Sequence, residues 1–547
     1  MRPARMGLVI TASSAGLAFE WYDFFVFGAL APIIARNFFS ELGSTAGLLA
    51  ALGLFGAGFF FRPFGALIFG RLGDVVGRKA TFLITMTLMG AATMAIGFLP
   101  TWPQAGIAAP ILLIAMRIIQ GTALGGVYGG AVIYVAEHAR PERRATATSA
   151  VQSSAAFGLI GALAAILITR TLMGDARFGA AGWLGGWRVP FLLSACLLAI
   201  SLWMRLSLAE TPVFAAMQAE GARSQRPYAE AFGRWPNLRQ VLIVLVAIMF
   251  AQGASWYLTF FYAEQVFLER FMKVAAQTGE QLLIIMTILS APLYVFFGWL
   301  GDKVGRKWVM WGGMTLALVA YFPAFHAMTH FANPTLEAAR RETPVTVVAD
   351  PTRCSLQFDI TGKAKYVTSC DLAKAALANA GVSYRNQAAP AGSLAVVRIG
   401  DRIVASREAS GLSAGAGKAA AKDVAARLAA ALEAAGYPAK ADPARLDFWG
   451  LLGVLMVFVV ACTALYGPMA AALVELFPAR IRYTALSLPY HVGIGWVGGF
   501  TPVTIFAIVT ATGNMYAGLW YPVVFTAISA ITLPFLVPET KGRDISA

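Results

Sequence analysis

The chain has 547 residues, of which 58% are hydrophobic and only 13% are charged. An average soluble domain has roughly a quarter of its residues charged, so this composition excludes an ordinary soluble protein. The formal net charge of +15 would suit nucleic-acid binding, but the basic residues stand in short groups between apolar runs and form no continuous basic face. We therefore exclude nucleic acid as a partner.

Twelve apolar runs follow one another along the chain. Each has about 20 residues or more, which at about 1.5 Å per residue is enough to cross a hydrocarbon core about 30 Å thick. The pattern predicts an all-α polytopic membrane protein with twelve transmembrane helices. The predicted spans are 9–36, 46–70, 80–99, 108–136, 146–170, 187–207, 238–264, 281–300, 308–330, 448–474, 484–510 and 517–537.

Basic residues indicate how these spans are oriented. With the N-terminus inside, 20 Lys and Arg lie in the inner connections and 6 in the short outer ones, so the positive-inside rule predicts that both termini are cytoplasmic. The first run lacks a small-residue cleavage site and contains two carboxylates, which indicates a retained helix and not a signal peptide. We expect a multi-pass protein of the bacterial inner (plasma) membrane.

Residues 331–446 interrupt the pattern. The stretch is polar and Ala-rich, holds 15 of the 43 Lys and Arg, and contains no run long enough to span a membrane. It is predicted to be a small soluble α+β insert between helices nine and ten, on the periplasmic or extracellular side. Its predicted elements are strands at 345–349 and 355–358, a helix at 371–379, a hairpin at 393–404 and a helix at 419–435.

Two of the four cysteines, Cys354 and Cys370, lie in this insert. Outside the cytoplasm an oxidised pair is chemically allowed, and a disulfide would close a loop of about 15 residues. The alternative is two free thiols. The compartment favours the disulfide.

Ionisable residues inside the spans motivate a functional hypothesis, because each costs about 2.5–3.5 kcal/mol to insert. Glu20 and Asp23 share one face of the first helix, and Arg117 lies at a comparable depth in the fourth. A carboxylate that is ionised beside Arg and neutral when the pair separates can bind and release a proton, so Asp23 and Arg117 are predicted to couple transport to protons. The alternative is a static ion pair that fixes helix packing, and Glu20 is either a second proton site or a packing group.

Four residues are candidate substrate ligands: Arg62, Arg117, Gln252 and Tyr257. A guanidinium facing a central cavity binds a carboxylate with two parallel hydrogen bonds, as an organic-acid carrier requires. Arg62 lies about 12 Å from the inner end of its helix, so its side chain could instead extend towards water. Gln252 and Tyr257 either face the cavity or pack against neighbouring helices. His326 and His330 lack a third ligand, so we predict no metal site.

The chain resembles itself in two places. GRLGDVVGRK at 70–79 and GWLGDKVGRK at 298–307 agree at 8 of 10 positions, and Glu137 and Glu475 are each followed seven residues later by an arginine, Arg144 or Arg482. The offset between copies grows from 228 to 338 residues, and the added length matches the insert. The predicted organisation is a six-helix half (1–207), a cytoplasmic linker (208–237), three helices (238–330), the insert (331–446), and three helices with a cytoplasmic tail (447–547).

These motifs, together with ETP at 210–212 and PET at 538–540, resemble the major facilitator superfamily. EWYDF at 20–24, FRPFG at 61–65 and RIIQG at 117–121 are similar, more narrowly, to its metabolite:proton symporter branch, which moves organic acids and related small metabolites. The resemblance covers about 1–330 and 447–547. It implies no function for the insert.

The resemblance also implies two charged gates at the inner ends of the halves, in which Glu137 with Arg144, and Glu475 with Arg482, complete the clusters begun by the ten-residue motifs. Ion pairs across the halves would close the inner mouth and break when it opens, which gives alternating access. The alternative is that these charges only anchor the topology. The gating candidates are Gly70, Asp74, Gly77, Arg78, Lys79, Glu137, Arg144, Asp302, Arg306, Lys307, Glu475 and Arg482.

The sequence therefore predicts a proton-coupled symporter of a small organic metabolite, expected to be a carboxylate, which acts in the bilayer as a monomer without a cofactor. The alternative is a membrane-anchored receptor or sensor whose outer domain binds a ligand. GLSAGAGK at 411–418 superficially resembles a phosphate-binding loop but lacks the Ser or Thr after Lys, so it is interpreted as a linker and no ATP is expected. The insert contains no His, and we expect no enzymatic activity.

Overall fold

The computed structural model describes residues 6–40, 58–206, 209–356 and 367–546. Within these ranges nine helices are long and apolar enough to cross a membrane, and the bent pair Met6–Ala29 and Ala31–Phe38 makes a tenth. Two shorter helices, Arg62–Val75 and Arg188–Leu206, stand where the second and sixth spans are predicted. The predicted fold class is thereby confirmed, although residues 46–57 of the predicted second span lie outside the described residues.

We number the spans in chain order. They are Met6–Ala29 with Ala31–Phe38 (span 1), Arg62–Val75 (span 2), Arg78–Phe98 (span 3), Ala108–His138 (span 4), Arg144–Gln152 with Ser154–Met173 (span 5), Arg188–Leu206 (span 6), Trp235–Phe271 (span 7), Ala276–Val304 (span 8), Arg306–Ala332 (span 9), Phe448–Leu476 (span 10), Arg482–Thr512 (span 11) and Trp520–Leu536 (span 12). Short helices outside the spans are Trp102–Ala105, Asp175–Phe178, Pro212–Ala219, Pro227–Ala231 and Pro334–Glu342.

The spans form two groups, 1–6 and 7–12, which we call the N-half and the C-half. Span 2 packs against span 11, and span 5 packs against span 8, so the halves meet along two seams. We call the end of the bundle that carries residues 70–79 and 298–307 the motif face. The opposite end, where the insert joins spans 9 and 10, is the insert face.

Several spans depart from a straight α-helix. Span 1 bends by 61° between its two parts. Span 7 contains π-helical segments at Leu245–Met249 and Leu258–Phe271, and span 11 contains one at Gly493–Gly498. Such wide turns are rare in proteins and occur often at functional sites. Span 7 carries Gln252 and Tyr257, two of the candidate substrate ligands.

The insert contains a four-stranded sheet with the order β2-β1-β3-β4. Its strands are β1 (Val345–Ala349), β2 (Tyr384–Ala388), β3 (Val396–Ile399) and β4 (Arg402–Ala405). β2 runs parallel to β1, whereas β3 is antiparallel to both β1 and β4. Alternate residues of β1 are buried, as expected for a strand with one face on a core.

Two longer helices, Ser369–Asn379 and Ala414–Glu433, complete the insert, which begins with the short helix Pro334–Glu342. The second begins five residues before the predicted start because Ser413 caps it by accepting a hydrogen bond from the Ala416 amide. The interpretation of 411–418 as a linker is therefore wrong for its second half. β2 was not predicted, and 355–356 are not a strand, while 357–358 lie outside the described residues.

The insert is fastened to the C-half. The last carbonyls of span 11 have no partner within their own helix, and insert side chains donate to them: Lys374 to Ala511, and Asn386 to Thr512 at 2.9 Å. The Tyr384 amide donates to the carbonyl of Gly513 at 2.8 Å. In the structure, the sulfur atoms of Cys354 and Cys370 are bonded, with their Cα atoms 5.3 Å apart.

Candidate functional site

A buried ion pair lies in the middle of the N-half. Arg117 Nη1 of span 4 is 3.8 Å from Asp23 Oδ2 of span 1, and both side chains are almost fully buried. Thr93 and Gln120 donate hydrogen bonds to Asp23 Oδ1 at 2.9 and 3.0 Å. Arg117 also donates to the side-chain amide oxygen Oε1 of Gln120 at 2.9 Å, and its guanidinium lies over the ring of Phe27. The carboxylate therefore has three donors around it within a site closed to water.

A second pair lies beside it. Arg62 Nη2 of span 2 is 3.6 Å from Glu20 Oε1 of span 1. Arg62 is 6% exposed, and its guanidinium packs over the ring of Phe59 at 4.5 Å. The alternative in which Arg62 extends to water is thus wrong. The reason is that Glu20 of span 1 and Phe59, three residues before Arg62, both lie beside the guanidinium.

Spans 2 and 4 approach closely around these pairs. A Cβ atom on Gly125 would lie 2.4 Å from the carbonyl oxygen of Arg62, and one on Gly65 would lie 1.8 Å from that of Thr122. Only glycine allows this backbone contact. The close approach holds Arg62 and Arg117 at neighbouring positions in the N-half.

Span 7 faces these pairs from the C-half. Tyr257 is buried, and its ring packs edge-on against Phe59 at 5.6 Å. Trp256 packs on Trp21 of span 1 with ring centroids 5.1 Å apart. Gln252 lies four residues before Trp256 and so shares its helix face, which meets the N-half. Both polar atoms of the Gln252 side chain are buried without a hydrogen-bond partner among the described residues.

At the motif face, four charged residues of two halves form a first gate cluster. Arg482 Nη1 of span 11 lies 2.7 Å from Glu137 Oε1 of span 4. Arg78 Nε lies 3.8 Å from the same oxygen, and Arg78 Nη1 lies 3.3 Å from Asp74. All four side chains are buried. Glu137 thus joins an arginine of its own half to one of the other half.

A second gate cluster repeats this arrangement with the halves exchanged. Arg144 Nη1 of span 5 lies 2.8 Å from Glu475 Oε1 of span 10, and Arg306 Nη2 lies 3.2 Å from that oxygen and 3.0 Å from Asp302. The grouping implied by the resemblance, Glu137 with Arg144 and Glu475 with Arg482, is therefore wrong. Each glutamate pairs with the arginine of the opposite half, because the halves face each other across the pseudo-twofold seam.

The two motif aspartates also bind across the seam. Asp74 accepts hydrogen bonds from the amides of Tyr483 and Thr484 at 3.1 and 2.8 Å. Asp302 accepts from the amides of Ala145 and Thr146 at 3.0 and 2.8 Å. Each carboxylate thus occupies the N-terminus of a helix of the other half, where free amides and the helix dipole favour a negative charge.

Two further glutamates hold the helices that follow the motifs. Glu210 accepts from the Lys79 amide at 3.2 Å, and Glu539 accepts from the amides of Arg306 and Lys307 at 2.9 and 3.1 Å. They belong to the ETP and PET sequences noted above. The Glu539 contacts lie within the C-half, and Glu210, in the linker, contacts the N-half.

The remaining gating candidates shape these loops. Gly77 and Gly305 have φ values of 135° and 123°, in the region that favours glycine. A Cβ on Gly70 would lie 2.9 Å from the Cα atom of Thr484, so Gly70 permits the contact of spans 2 and 11. Lys79 and Lys307 donate to carbonyl oxygens of their own halves, those of Leu206 and Pro534.

The C-terminal segment crosses both gate clusters. Arg144 Nη1 donates to the carbonyl oxygen of Arg543 at 3.1 Å, and Arg482 Nη2 donates to that of Ile545 at 2.6 Å. Ile545 is itself buried. We call residues 541–546 the strap, because the segment bridges one cluster to the other.

Sequence reasoning missed several members of these sites. Gln120 could have been found, because it lies three residues after Arg117 and therefore on the same helix face. Thr93 gave no such signal, since threonines are common in membrane helices and span 3 contains no charge near it. Glu210 and Glu539 stood in quoted motifs, but their distance along the chain from Lys79 and Arg306 concealed their capping role.

A family model described as "Sugar (and other) transporter" matches residues 8–288 and 441–547. The matched stretches cover well over half of the chain and leave out residues 289–440, which hold most of the insert together with span 9 and the end of span 8.

Two curated transporters are similar to this chain. It is 33% identical over 319 residues to the shikimate transporter of Escherichia coli (strain K12), which covers 58% of this chain and 71% of that protein. It is 32% identical over 331 residues to the glycine betaine/proline/ectoine/pipecolic acid transporter OusA of Dickeya dadantii (strain 3937), which covers 59% of this chain and 64% of that protein.

Among solved structures, the E. coli proton:xylose symporter XylE, with 6-bromo-6-deoxy-D-glucose bound, matches the fold at a TM-score of 0.59. The identity is 17%, and the match covers 100% of this chain and 98% of that one. On the match to the family model, the chain belongs to the sugar (and other) transporter family of the major facilitator superfamily and is a multi-pass secondary transporter.

Proposed function

We propose that the protein is a proton-coupled symporter that carries a small carboxylated metabolite across the bacterial inner membrane by alternating access. In this proposal the motif face is cytoplasmic and the insert is periplasmic, as the positive-inside rule requires. The observation that carries the proposal is the Asp23–Arg117 pair with its two added donors, Thr93 and Gln120. Every residue of the proposed proton and substrate sites comes from one chain, which fits a monomeric carrier.

The Asp23 site has the features of a proton carrier. A carboxylate in an apolar span is stable when it is paired with Arg117 and hydrogen-bonded, and it becomes neutral when those contacts loosen. The separation of 3.8 Å is longer than that of a tight ion pair, and in this proposal a small helix movement shifts the balance between the paired and the neutral state. Proton binding can therefore be linked to a change in helix packing.

The Arg62 site is the proposed substrate site. Arg62 Nε is buried without a hydrogen-bond partner among the described residues, as are the amide atoms of Gln252. Buried polar groups normally have partners, so these atoms are available to a bound solute. An arginine that exchanges Glu20 for a substrate carboxylate gains two parallel hydrogen bonds. Shikimate, proline and glycine betaine, named for the two similar transporters, all carry a carboxylate.

Alternating access follows from where the central ion pairs and the gate clusters lie. Arg62 belongs to the N-half and Gln252 to the C-half, so a solute bound by both joins the halves at the centre. The gate clusters hold the halves together at the motif face in the structure. Opening towards the cytoplasm requires these clusters to separate, with the insert carried along on the C-half.

Uptake into proteoliposomes tests this function. Vesicles with an imposed inward proton gradient receive labelled shikimate, proline, succinate and xylose in separate assays. We expect accumulation of one or more carboxylated solutes, and its loss in Arg62→Gln. Arg188→Gln is the matched control, because Arg188 is also buried in the N-half but donates to the carbonyl oxygens of Gly97 and Leu99. Accumulation of xylose alone, or of none of these solutes, would contradict the proposal.

A further inference from the structure

A buried histidine of span 11 has no role in the mechanism above. His491 is fully buried, and neither of its ring nitrogens has a hydrogen-bond partner among the described residues. Buried polar groups normally have partners, because a polar group that is removed from water without one raises the free energy of the folded protein. An imidazole in this state is suited to a ligand that supplies the missing hydrogen bonds.

His491 lies on the face of span 11 that meets span 2. A Cβ on Gly70 of span 2 would lie 2.9 Å from the Cα atom of Thr484, and a Cβ on Gly495 would lie 2.9 Å from the carbonyl oxygen of Phe59. Residues 484, 491 and 495 are spaced by seven and four positions, which places them on one face of a helix. The imidazole therefore belongs to the contact of the two halves.

The same contacts place His491 level with Arg62. Spans 2 and 11 run in opposite directions, and the register given by these two contacts puts Arg62 opposite residues 491 and 492. The depths agree, since Arg62 is eight residues before Gly70 and His491 is seven residues after Thr484, about 11–12 Å along each helix. His491 thus faces the proposed substrate arginine from the C-half.

Gln252 of span 7 lies beside the same part of span 11. A Cβ on Gly253 would lie 2.2 Å from the carbonyl oxygen of Gly493, so the two backbones are in contact. Gln252 precedes Gly253 by one residue, and His491 precedes Gly493 by two. The C-half therefore brings two side chains without hydrogen-bond partners among the described residues, an amide and an imidazole, to the part of span 11 that faces Arg62.

The chemistry of these two side chains indicates what they bind. A neutral imidazole has one nitrogen that donates and one that accepts, and an amide also offers both a donor and an acceptor. A carboxylate complements only the donors, an ammonium group only the acceptors, and a quaternary ammonium group neither. A hydroxyl group donates and accepts, so it complements any of the four atoms.

We propose that His491 is a specificity-determining residue for a hydroxylated carboxylate. Arg62 binds the carboxylate, as in the proposed function on which this inference rests, and His491 forms a hydrogen bond with a hydroxyl group of the solute. Gln252 binds a second hydroxyl group where the solute has one. The solutes of this carrier are thereby narrowed to carboxylates that bear hydroxyl groups.

Ligand-induced stabilisation of the purified full-length protein tests this assignment. Affinities follow from the rise in unfolding temperature with ligand concentration, for two acids with hydroxyl groups and their counterparts without: shikimate and cyclohex-1-ene-1-carboxylate, malate and succinate. We expect the hydroxylated acid of at least one pair to bind about tenfold or more tightly than its counterpart. His491→Leu should reduce that preference below about threefold and leave the affinity for the counterpart unchanged. His491→Gln keeps a donor and an acceptor and should restore most of the preference.

The stability of the protein without ligand separates recognition from packing. His491→Leu removes buried polar atoms that lack partners, so this variant should unfold at the same temperature as the wild type or at a higher one. A lower unfolding temperature would overturn the proposal by assigning the imidazole to packing. His326→Leu is the control, because His326 packs on Tyr516 near the insert-face end of span 9, and it should keep the preference.

The remaining outcomes distinguish this proposal from the proposed function. Arg62→Gln should weaken the binding of both members of a pair. Equal affinity of the wild type for both members of each pair, or a preference that His491→Leu leaves unchanged, would overturn the role of His491 and leave a carboxylate carrier intact. Binding of none of the four acids would contradict the proposed function as well.

Discussion

The two charged layers of the bundle differ in where their partners come from. In the central layer, Asp23 with Arg117 and Glu20 with Arg62 are pairs within the N-half, with separations of 3.8 and 3.6 Å. At the motif face, the pairs of Glu137 with Arg482 and of Glu475 with Arg144 cross between the halves at 2.7 and 2.8 Å. In the proposed function, the central layer changes its protonation while the halves stay together, whereas the gate layer breaks whenever they separate.

The two layers are thus proposed to serve two tasks of a carrier, proton binding and the opening of the inner end. Removing one partner of a buried ion pair leaves an uncompensated charge, at a cost of about 3–5 kcal/mol. In the central layer that cost affects proton binding, and in the gate layer it affects the balance between closed and open forms. Substitutions in the two layers should therefore change different measurements.

The largest effect is expected for Arg117→Gln. Without the guanidinium, Asp23 remains neutral at working pH, and proton-driven accumulation should fall by about 100-fold or more. The measurement is steady-state accumulation of the transported solute in proteoliposomes. Arg188→Gln should fold less stably but keep its accumulation ratio. Accumulation by Arg117→Gln at the wild-type ratio would show that the central pair is only structural.

The next effect is expected at the gates. Glu137→Gln and Glu475→Gln each disrupt one pair across the halves, so the two should favour the open form to similar extents, by about 3 kcal/mol or more than 100-fold. A cysteine introduced as Ser487→Cys, at the buried contact of spans 4 and 11, reports opening by its rate of maleimide labelling. Cys196→Ser and Cys462→Ala remove the free thiols.

If the two gate clusters are equivalent, Glu137→Gln and Glu475→Gln must raise the labelling rate to a similar extent. A large increase in labelling for one variant and none for the other would contradict the repeat of the arrangement. Unchanged labelling for both would reduce these charges to topology anchors.

A smaller effect is expected for Gln120→Leu, which removes a donor to Asp23 and an acceptor for Arg117. A hydrogen bond to a charged group contributes about 1.5–3 kcal/mol, so accumulation should fall by about tenfold. Thr122→Val on the same helix is the control, because its hydroxyl donates to the carbonyl oxygen of Ile118. An equal loss in both variants would point to general weakening of span 4.

The smallest effect is expected for the strap. Deleting residues 542–547 removes the two carbonyl groups that accept hydrogen bonds from Arg144 and Arg482. Water can accept these hydrogen bonds instead, so only part of their stabilisation is lost. We expect labelling of the Ser487→Cys reporter to rise about fivefold, or about 1 kcal/mol. Asp544→Asn is the control, because Asp544 is exposed and accepts from Ser546. Labelling that stays constant after deletion would exclude a gating role for the strap.

Much of this architecture was predictable because it rests on composition and repetition. Apolar runs predicted the spans, and the depth of Asp23 and Arg117 along their helices predicted that they could meet. The partners of Glu137 and Glu475 were not predictable, because seven residues along the chain separate each from an arginine that in fact belongs to the other cluster. Contacts across the seam depend on how two halves dock, and local spacing contains no information on that.

In the insert, too, contacts between residues distant in sequence could not be predicted. The positions of β1 and of the β3–β4 hairpin agreed with prediction, and alternate residues of β1 are buried. β2 has three polar residues in succession after Tyr384 and then Ala388, all four exposed, so its pattern does not suggest a strand. It forms because its backbone pairs with β1 and its side chains bind the end of span 11, both of which are contacts distant in sequence.

The most direct test compares exchange with accumulation in Asp23→Asn. The substituted amide cannot carry a proton but keeps the size of the side chain. We predict that this variant exchanges labelled for unlabelled solute across the proteoliposome membrane at a rate similar to the wild type, and that it no longer accumulates solute when a proton gradient is imposed. Gradient-driven accumulation that persists in Asp23→Asn would contradict the assignment of proton coupling to this site.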